Sequence, residues 1–249
     1  MKKIGLVGGT GPESTLIYYK ELNRRINEQS GGTDFPEITI ESLNLNRALG
    51  YVESEQYEEL AAYVSQAICN LEKSGAQVIA LTAATMHIVY DMVAQKVHTP
   101  FISIPETAAE YAASKGHHRV GLLETIFTME KDYLSKAFIS RGIEVTVPDP
   151  ATRALVNERI SKELEYGIVK ETTVEEHKNV IQNMKNEHGI EALILGCTEL
   201  PLALNDENSP VPCIDIMEIH IDRLVELIVE KPFRHKSLEF ERNPKQGAD

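Results

Sequence analysis

Apolar positions along the chain alternate between short continuous runs and longer stretches at helical spacing. Residues 4–7 form a buried-strand run. Gly8, Gly9, Thr10, Gly11 and Pro12 interrupt it, and 13–27 carries an amphipathic helical pattern. The alternation continues with a strand over 37–43, a helix over 55–73, a strand over 78–81 and a helix over about 86–97. Strands that alternate with helices predict an α/β fold, a mostly parallel sheet flanked by helices. Residues 231–249 are polar, lack either period and contain Pro232 and Pro244, so a loosely ordered tail is expected there.

The pattern also repeats. Residues 75–85 parallel 189–199, so that Ala83 and Cys197 each stand eight residues after a glycine. Residues 100–106 match 212–218, and Ile4-Gly5-Leu6 matches Val120-Gly121-Leu122. The three offsets, 114, 112 and 116 residues, agree closely, which is the signature of a duplication. Two pseudo-symmetric halves are therefore expected: 1–99 plus about 215–230, and 100–214. Open parallel sheets bind ligands outside the carboxyl ends of their strands, so the site belongs in the cleft where the halves meet.

Composition narrows the partners. The net charge is −13 and the basic residues are dispersed among acids, which removes the electrostatic footprint of a nucleic-acid binder. The longest apolar runs are strand-sized, against roughly 20 residues for a membrane span. Met1-Lys2-Lys3 runs directly into 4–7 and leaves no room for a signal peptide, so the cytoplasm is the expected compartment. The cysteines, Cys69, Cys197 and Cys213, form neither a Cys-x-x-Cys pair nor a zinc-spaced set, and their odd number argues against a disulfide framework. No metal site is expected.

Cys197 follows an apolar strand and precedes Thr198-Glu199-Leu200-Pro201, which reads as the first turn of a helix. A thiol there would have its thiolate stabilised by free backbone N–H groups and its pKa lowered. Cys69 and Cys213 fall on apolar faces and read as core. The glycine loop at 8–11 fits neither a dinucleotide fingerprint nor a Walker loop; it suits either a small anion or a plain tight turn. Thr125 and Thr128 occupy the corresponding loop of the second half, as carboxylate ligands or helix caps. His87 and His220 have the right ordinary pKa for acid/base work, although a structural role suits both, and Arg47 can meet a carboxylate through two parallel hydrogen bonds.

Taken together, residues 8–15, Thr85-Met86-His87, Leu122-Leu123 with Thr125, Thr128-Met129-Glu130, residues 196–199, and Pro212 with Asp215 and His220 resemble the aspartate/glutamate racemase family. The resemblance is strongest to its aspartate-racemase and broad-specificity branches. It implies a cofactor-independent isomerase, a homodimer, and a small amino acid such as aspartate or glutamate as substrate. Two thiols on opposite faces of Cα then exchange the α-proton. Cys197 stands at the second thiol position, while Ala83 stands at the first, where family members carry cysteine or threonine. Ala84 replaces the following asparagine, Glu124 stands in place of a glycine and Glu165 in place of a lysine of some members. The implied cradle is Gly9, Thr10, Arg47, Ala84, Thr85, Met86, Thr125, Thr128, Thr198 and Glu199, with His87 or Thr82 as stand-ins for the missing acid/base group. A single-thiol decarboxylase-like lyase and an idle amino-acid-binding homologue are the rival expectations.

Overall fold

The structure, a computed structural model, describes residues 1–229; the tail expected over 231–249 lies outside them. The first half runs β1 (Ile4–Gly8), α1 (Pro12–Gln29), β2 (Ile38–Ser42), α2 (Leu45–Glu53), α3 (Tyr57–Lys73), β3 (Val78–Leu81), α4 (Tyr90–Ala94), β4 (Phe101–Ile102) and α5 (Ile104–Ser114). The second runs β5 (Arg119–Leu123), α6 (Ile126–Glu130), α7 (Ser135–Ile139), β6 (Glu144–Thr146), α8 (Pro150–Lys162), α9 (Glu171–His188), β7 (Ala192–Leu195), β8 (Cys213–Asp215) and α10 (Ile216–Val229).

Each half contains a four-stranded parallel sheet, ordered β2-β1-β3-β4 and β6-β5-β7-β8. The duplicated segments occupy equivalent places down to the register. Ile4 pairs with Val78 in one sheet, and Val120 pairs with Ala192 in the other. β1, β3 and β7 are buried at every position because helices cover both faces, which is why their sequences are unbroken apolar runs.

The last helix of each half crosses to the other. α5 leaves the first sheet and places Ile104, Ala108 and Ala112 in the core with Val120 and Leu122. α10 leaves the second sheet and packs Ile221, Leu224 and Ile228 against Ile4, Leu6 and Tyr18. Arg25 of α1, itself buried, is paired with Glu218 and Asp222 of α10 and fastens this return. Phe101 pairs with Ile79, so β4 completes the first sheet.

The helix expected over 86–97 is broken into a 3-10 turn, Thr85–Val89, and the short α4. The break falls at Val89, whose φ of −107° and ψ of 9° leave the α region, and within the turn the His87 imidazole lies 3.2 Å from the carbonyls of both Ala83 and Ala84. No helix among the described residues is long and apolar enough to cross a membrane.

Candidate active site

The carboxyl ends of β1, β3, β5 and β7 carry loops that converge on a cleft of about 330 Å³. Residues 10–14 and 82–85 line it from the first half, and Glu124, Thr125, Glu165 and 195–199 from the second. The helix starts at Ile104 and at 215–217 close its base. Ala83 and Cys197, equivalent in the repeat, both line this space from their separate halves.

Local backbone needs explain the loop sequences. Gly9 adopts φ 81°, and a Cβ there would stand 2.3 Å from the Leu43 carbonyl oxygen, so only glycine lets β1 leave the sheet so close to the end of β2. Gly196 continues the sheet by donating from its N–H to the Leu123 carbonyl at 3.0 Å. A Cβ on Gly196 would lie 2.5 Å from Cγ of Glu124, so the absence of a side chain at 196 makes room for the carboxyl arm of 124.

Cys197 is buried, and its thiol donates to Oε2 of Glu199 at 2.6 Å. Thr198 Oγ1 donates to the other oxygen, Oε1, at 2.7 Å. Burial pushes the thiol well above its ordinary pKa, and the carboxylates of Glu124 and Glu199 push it further. This corrects the expected thiolate at a helix start. The element after Cys197 is a three-residue 3-10 turn, Leu200–Leu202, whose dipole is too short to offset burial and two neighbouring acids.

Glu124 is the second perturbed group. Burial raises its pKa to about 7, against hydrogen bonds from Thr125 and Thr128, and Glu199 adds to the rise. Both the N–H and the hydroxyl of Thr125 are spent on Oε2 of Glu124. Burial also raises Glu165, with Glu199 contributing, and lifts Asp215 to about 6 although Asp215 accepts from the N–H groups of Met217 (3.0 Å) and Glu218 (3.1 Å). Asp215 and Ser103 match in the repeat, and each caps the helix that crosses between halves.

Several expected ligands are engaged elsewhere. His87 accepts from the Ile104 N–H at Nε2 (3.0 Å), so Nδ1 holds the proton and donates to the Ala83 and Ala84 carbonyls. Both His87 nitrogens are thus used, burial lowers its pKa to about 4, and the residue lies outside the cleft lining. Thr82 turns its hydroxyl to Thr15 Oγ1 at 3.0 Å. Met86 is packed in the first core, and Thr128, fully buried, bonds Tyr133 at 2.7 Å. The Gly9 N–H is taken by Thr15 Oγ1 at 3.0 Å. Arg47 lies outside the cleft lining, its guanidinium 4.4 Å from the Tyr63 ring centroid and bonded to Tyr51. Thr10, Ala84, Thr85, Thr125, Thr198 and Glu199 do line the cleft. His220 is buried, accepting from Tyr18 at Nδ1 (2.7 Å) and donating to the Ile102 carbonyl (3.2 Å).

Sequence reasoning missed Glu13, Tyr18 and Asp215 as lining residues. Asp215 was findable: it ends a strand that the repeat had already identified, at the edge where ligands bind.

Residues 7–224 match the Asp/Glu/hydantoin racemase family. The chain is 25% identical over 222 residues to the broad specificity amino-acid racemase RacX of Bacillus subtilis (strain 168), covering 85% of this chain and 92% of the relative. An aspartate racemase homologue from Pyrococcus horikoshii OT3 is 38% identical with a TM-score of 0.84, across 92% of this chain and all of the other. The Picrophilus torridus aspartate racemase shares the fold at 21% identity, with a TM-score of 0.70 over 91% of this chain and 94% of the other.

Proposed function

The chain belongs to the Asp/Glu/hydantoin racemase family, and on that premise we propose that it is a cofactor-independent isomerase acting at the α-carbon of a small amino acid through Cys197. One observation carries the reading: the Cys197 thiol lines the cleft between the duplicated halves, hydrogen-bonded to Glu199. The Bacillus subtilis relative, a broad specificity amino-acid racemase, supports the reaction class.

Proton abstraction begins when the thiol passes its proton to Glu199 Oε2, 2.6 Å away. The thiolate then takes the α-proton, and the electron pair of the C–H bond is held by the adjoining carboxylate. The thiol exchanges its proton with solvent through Glu199 and returns one to the same face of Cα, and Glu199 then gives its proton back to the thiolate, which closes the cycle. Ala83 occupies the place from which the opposite face would be served, and its methyl group carries no exchangeable proton. Exchange with retention is therefore the expected chemistry, with inversion slow. A single-thiol decarboxylase calls for an apolar pocket beside a carboxylate clamp, whereas among the described residues this cleft is lined by five carboxylic acids: Glu13, Glu124, Glu165, Glu199 and Asp215.

Incubation of the protein with L- and D-amino acids in D₂O, followed by NMR at the α-proton, tests the proposal. Deuterium enters at Cα with the wild type and not with Cys197→Ala. Undiminished exchange in Cys197→Ala sinks the assignment, and binding without any exchange identifies an idle homologue.

A further inference from the structure

We propose that the cleft selects an amino acid whose side chain ends in a cation, an ammonium or a guanidinium, over an acidic or neutral one. This rests on the amino-acid reading of the cleft above and departs from the acidic substrate that the sequence resemblance implies.

The first observation is the sign of the lining. Among the described residues, five carboxylic acids line the cleft and no lysine, arginine or histidine does. Arg47, the cation expected to meet a side-chain carboxylate, lies outside that lining, held against Tyr51 and Tyr63. A second carboxylate on the ligand would enter a partly desolvated space already occupied by acids, where like charges repel most strongly. Burial raises the pKa values of Glu124, Glu165 and Asp215, and the charge of Glu199 adds to the rise at Glu124 and Glu165.

The second observation fixes where the opposite end of the ligand goes. Thr10 is 8% exposed, lines the cleft at the mouth of α1, and its Oγ1 has no hydrogen-bond partner among the described residues. The first-turn amides of the 18-residue α1 also lack intrahelical acceptors. An α-carboxylate would satisfy both, as anions do at helix starts. The ligand then extends from the first half, where the donors are, toward Glu165 and Glu199 on the second.

An extended organic cation fits better than a metal ion. Among the described residues, no three histidine, cysteine, aspartate or glutamate side chains converge closely enough to hold a metal. The acids are instead spread around the walls, as a ligand carrying separated charges requires.

Calorimetric titration of the full chain with L-lysine, L-norleucine, L-aspartate and L-glutamate tests this. Norleucine keeps the lysine chain and lacks its ammonium. Lysine is expected to bind at least about tenfold more tightly than norleucine, with the acidic pair weaker still. Glu165→Gln, at an exposed position, should weaken lysine about fivefold and leave norleucine within about twofold. Equal affinities for lysine and norleucine, tighter binding of either acid, or binding of none overturns the selection. α-Proton exchange measured on the same ligands keeps the two readings apart. Lysine preference without Cys197-dependent exchange defeats the isomerase reading alone, and exchange confined to aspartate or glutamate defeats the selection alone.

Discussion

Oε2 of Glu199 lies 2.6 Å from Sγ of Cys197, on the residue two places along the same loop. The carboxylate therefore does two opposing things. It raises the thiol pKa by charge and by accepting its proton, and it is the nearest base to which that proton can go. Glu199→Gln should lower the pKa of Cys197, read as thiolate absorbance against pH with Cys197→Ala subtracted to remove Cys69 and Cys213. In the same variant α-proton exchange should fall about 10- to 100-fold. An unchanged titration would mean that burial and Glu124 set the thiol without Glu199.

Ala83 and Cys197 hold equivalent places at the ends of β3 and β7 and share one cleft. Restoring a thiol by Ala83→Cys should raise inversion relative to exchange by about tenfold or more, because a second acid/base group then serves the other face of Cα. Chiral chromatography beside deuterium incorporation gives the ratio. If the ratio does not move, the two loops do not present their side chains to one α-carbon.

Glu124 makes stability depend on pH with a definite sign. Its carboxyl keeps a proton to about pH 7 in the folded protein, against an ordinary value of 4.5. The folded state thus binds more protons than the unfolded state between those values. The contribution is complete below the lower value and declines as pH rises toward 7. Glu124→Gln removes the effect, so it should match wild type near pH 5 and exceed it by about 2 kcal/mol at pH 8 in urea unfolding. His87 and His220, whose pKa values burial lowers to about 4 and about 3, act in the opposite direction in both proteins and cancel in the comparison. An equal gap at both pH values would refute the assignment.

Gly196 and Glu124 are sterically linked, since a Cβ at 196 meets Cγ of Glu124 at 2.5 Å. Gly196→Ala should cost about 1–3 kcal/mol of stability by overpacking. Combining it with Glu124→Ala should recover most of that loss, because the clashing arm is gone. Denaturant midpoints of the single and double variants decide the coupling; simple additivity would place the strain elsewhere.

How much of this was legible in the chain follows from which interactions are local. β1, β3 and β7 are continuous apolar runs because both faces of their sheets are covered, so periodicity alone located them. The repeat carried further than periodicity: it aligned Ala83 with Cys197 and anticipated the two sheets. The helix over 86–97 misled because its apolar spacing is helical, while the backbone leaves the α region at Val89 and the segment splits into a 3-10 turn and a short helix. Within that turn His87 accepts the Ile104 N–H, a contact across 17 residues that local spacing does not reveal.

By itself the sequence determined the α/β class, the duplication, the edge of the sheets where the cleft opens, and the one thiol among three cysteines that lines it. These follow from burial periodicity and from residues a few positions apart. Only the tertiary structure decided the protonation states. A short 3-10 turn in place of a helix, Glu124 folded over Gly196 and Glu199 closing on the sulfur turn an expected thiolate into a protonated thiol among acids. Electrostatics depends on distance and on exclusion of water, and neither is written in residue order.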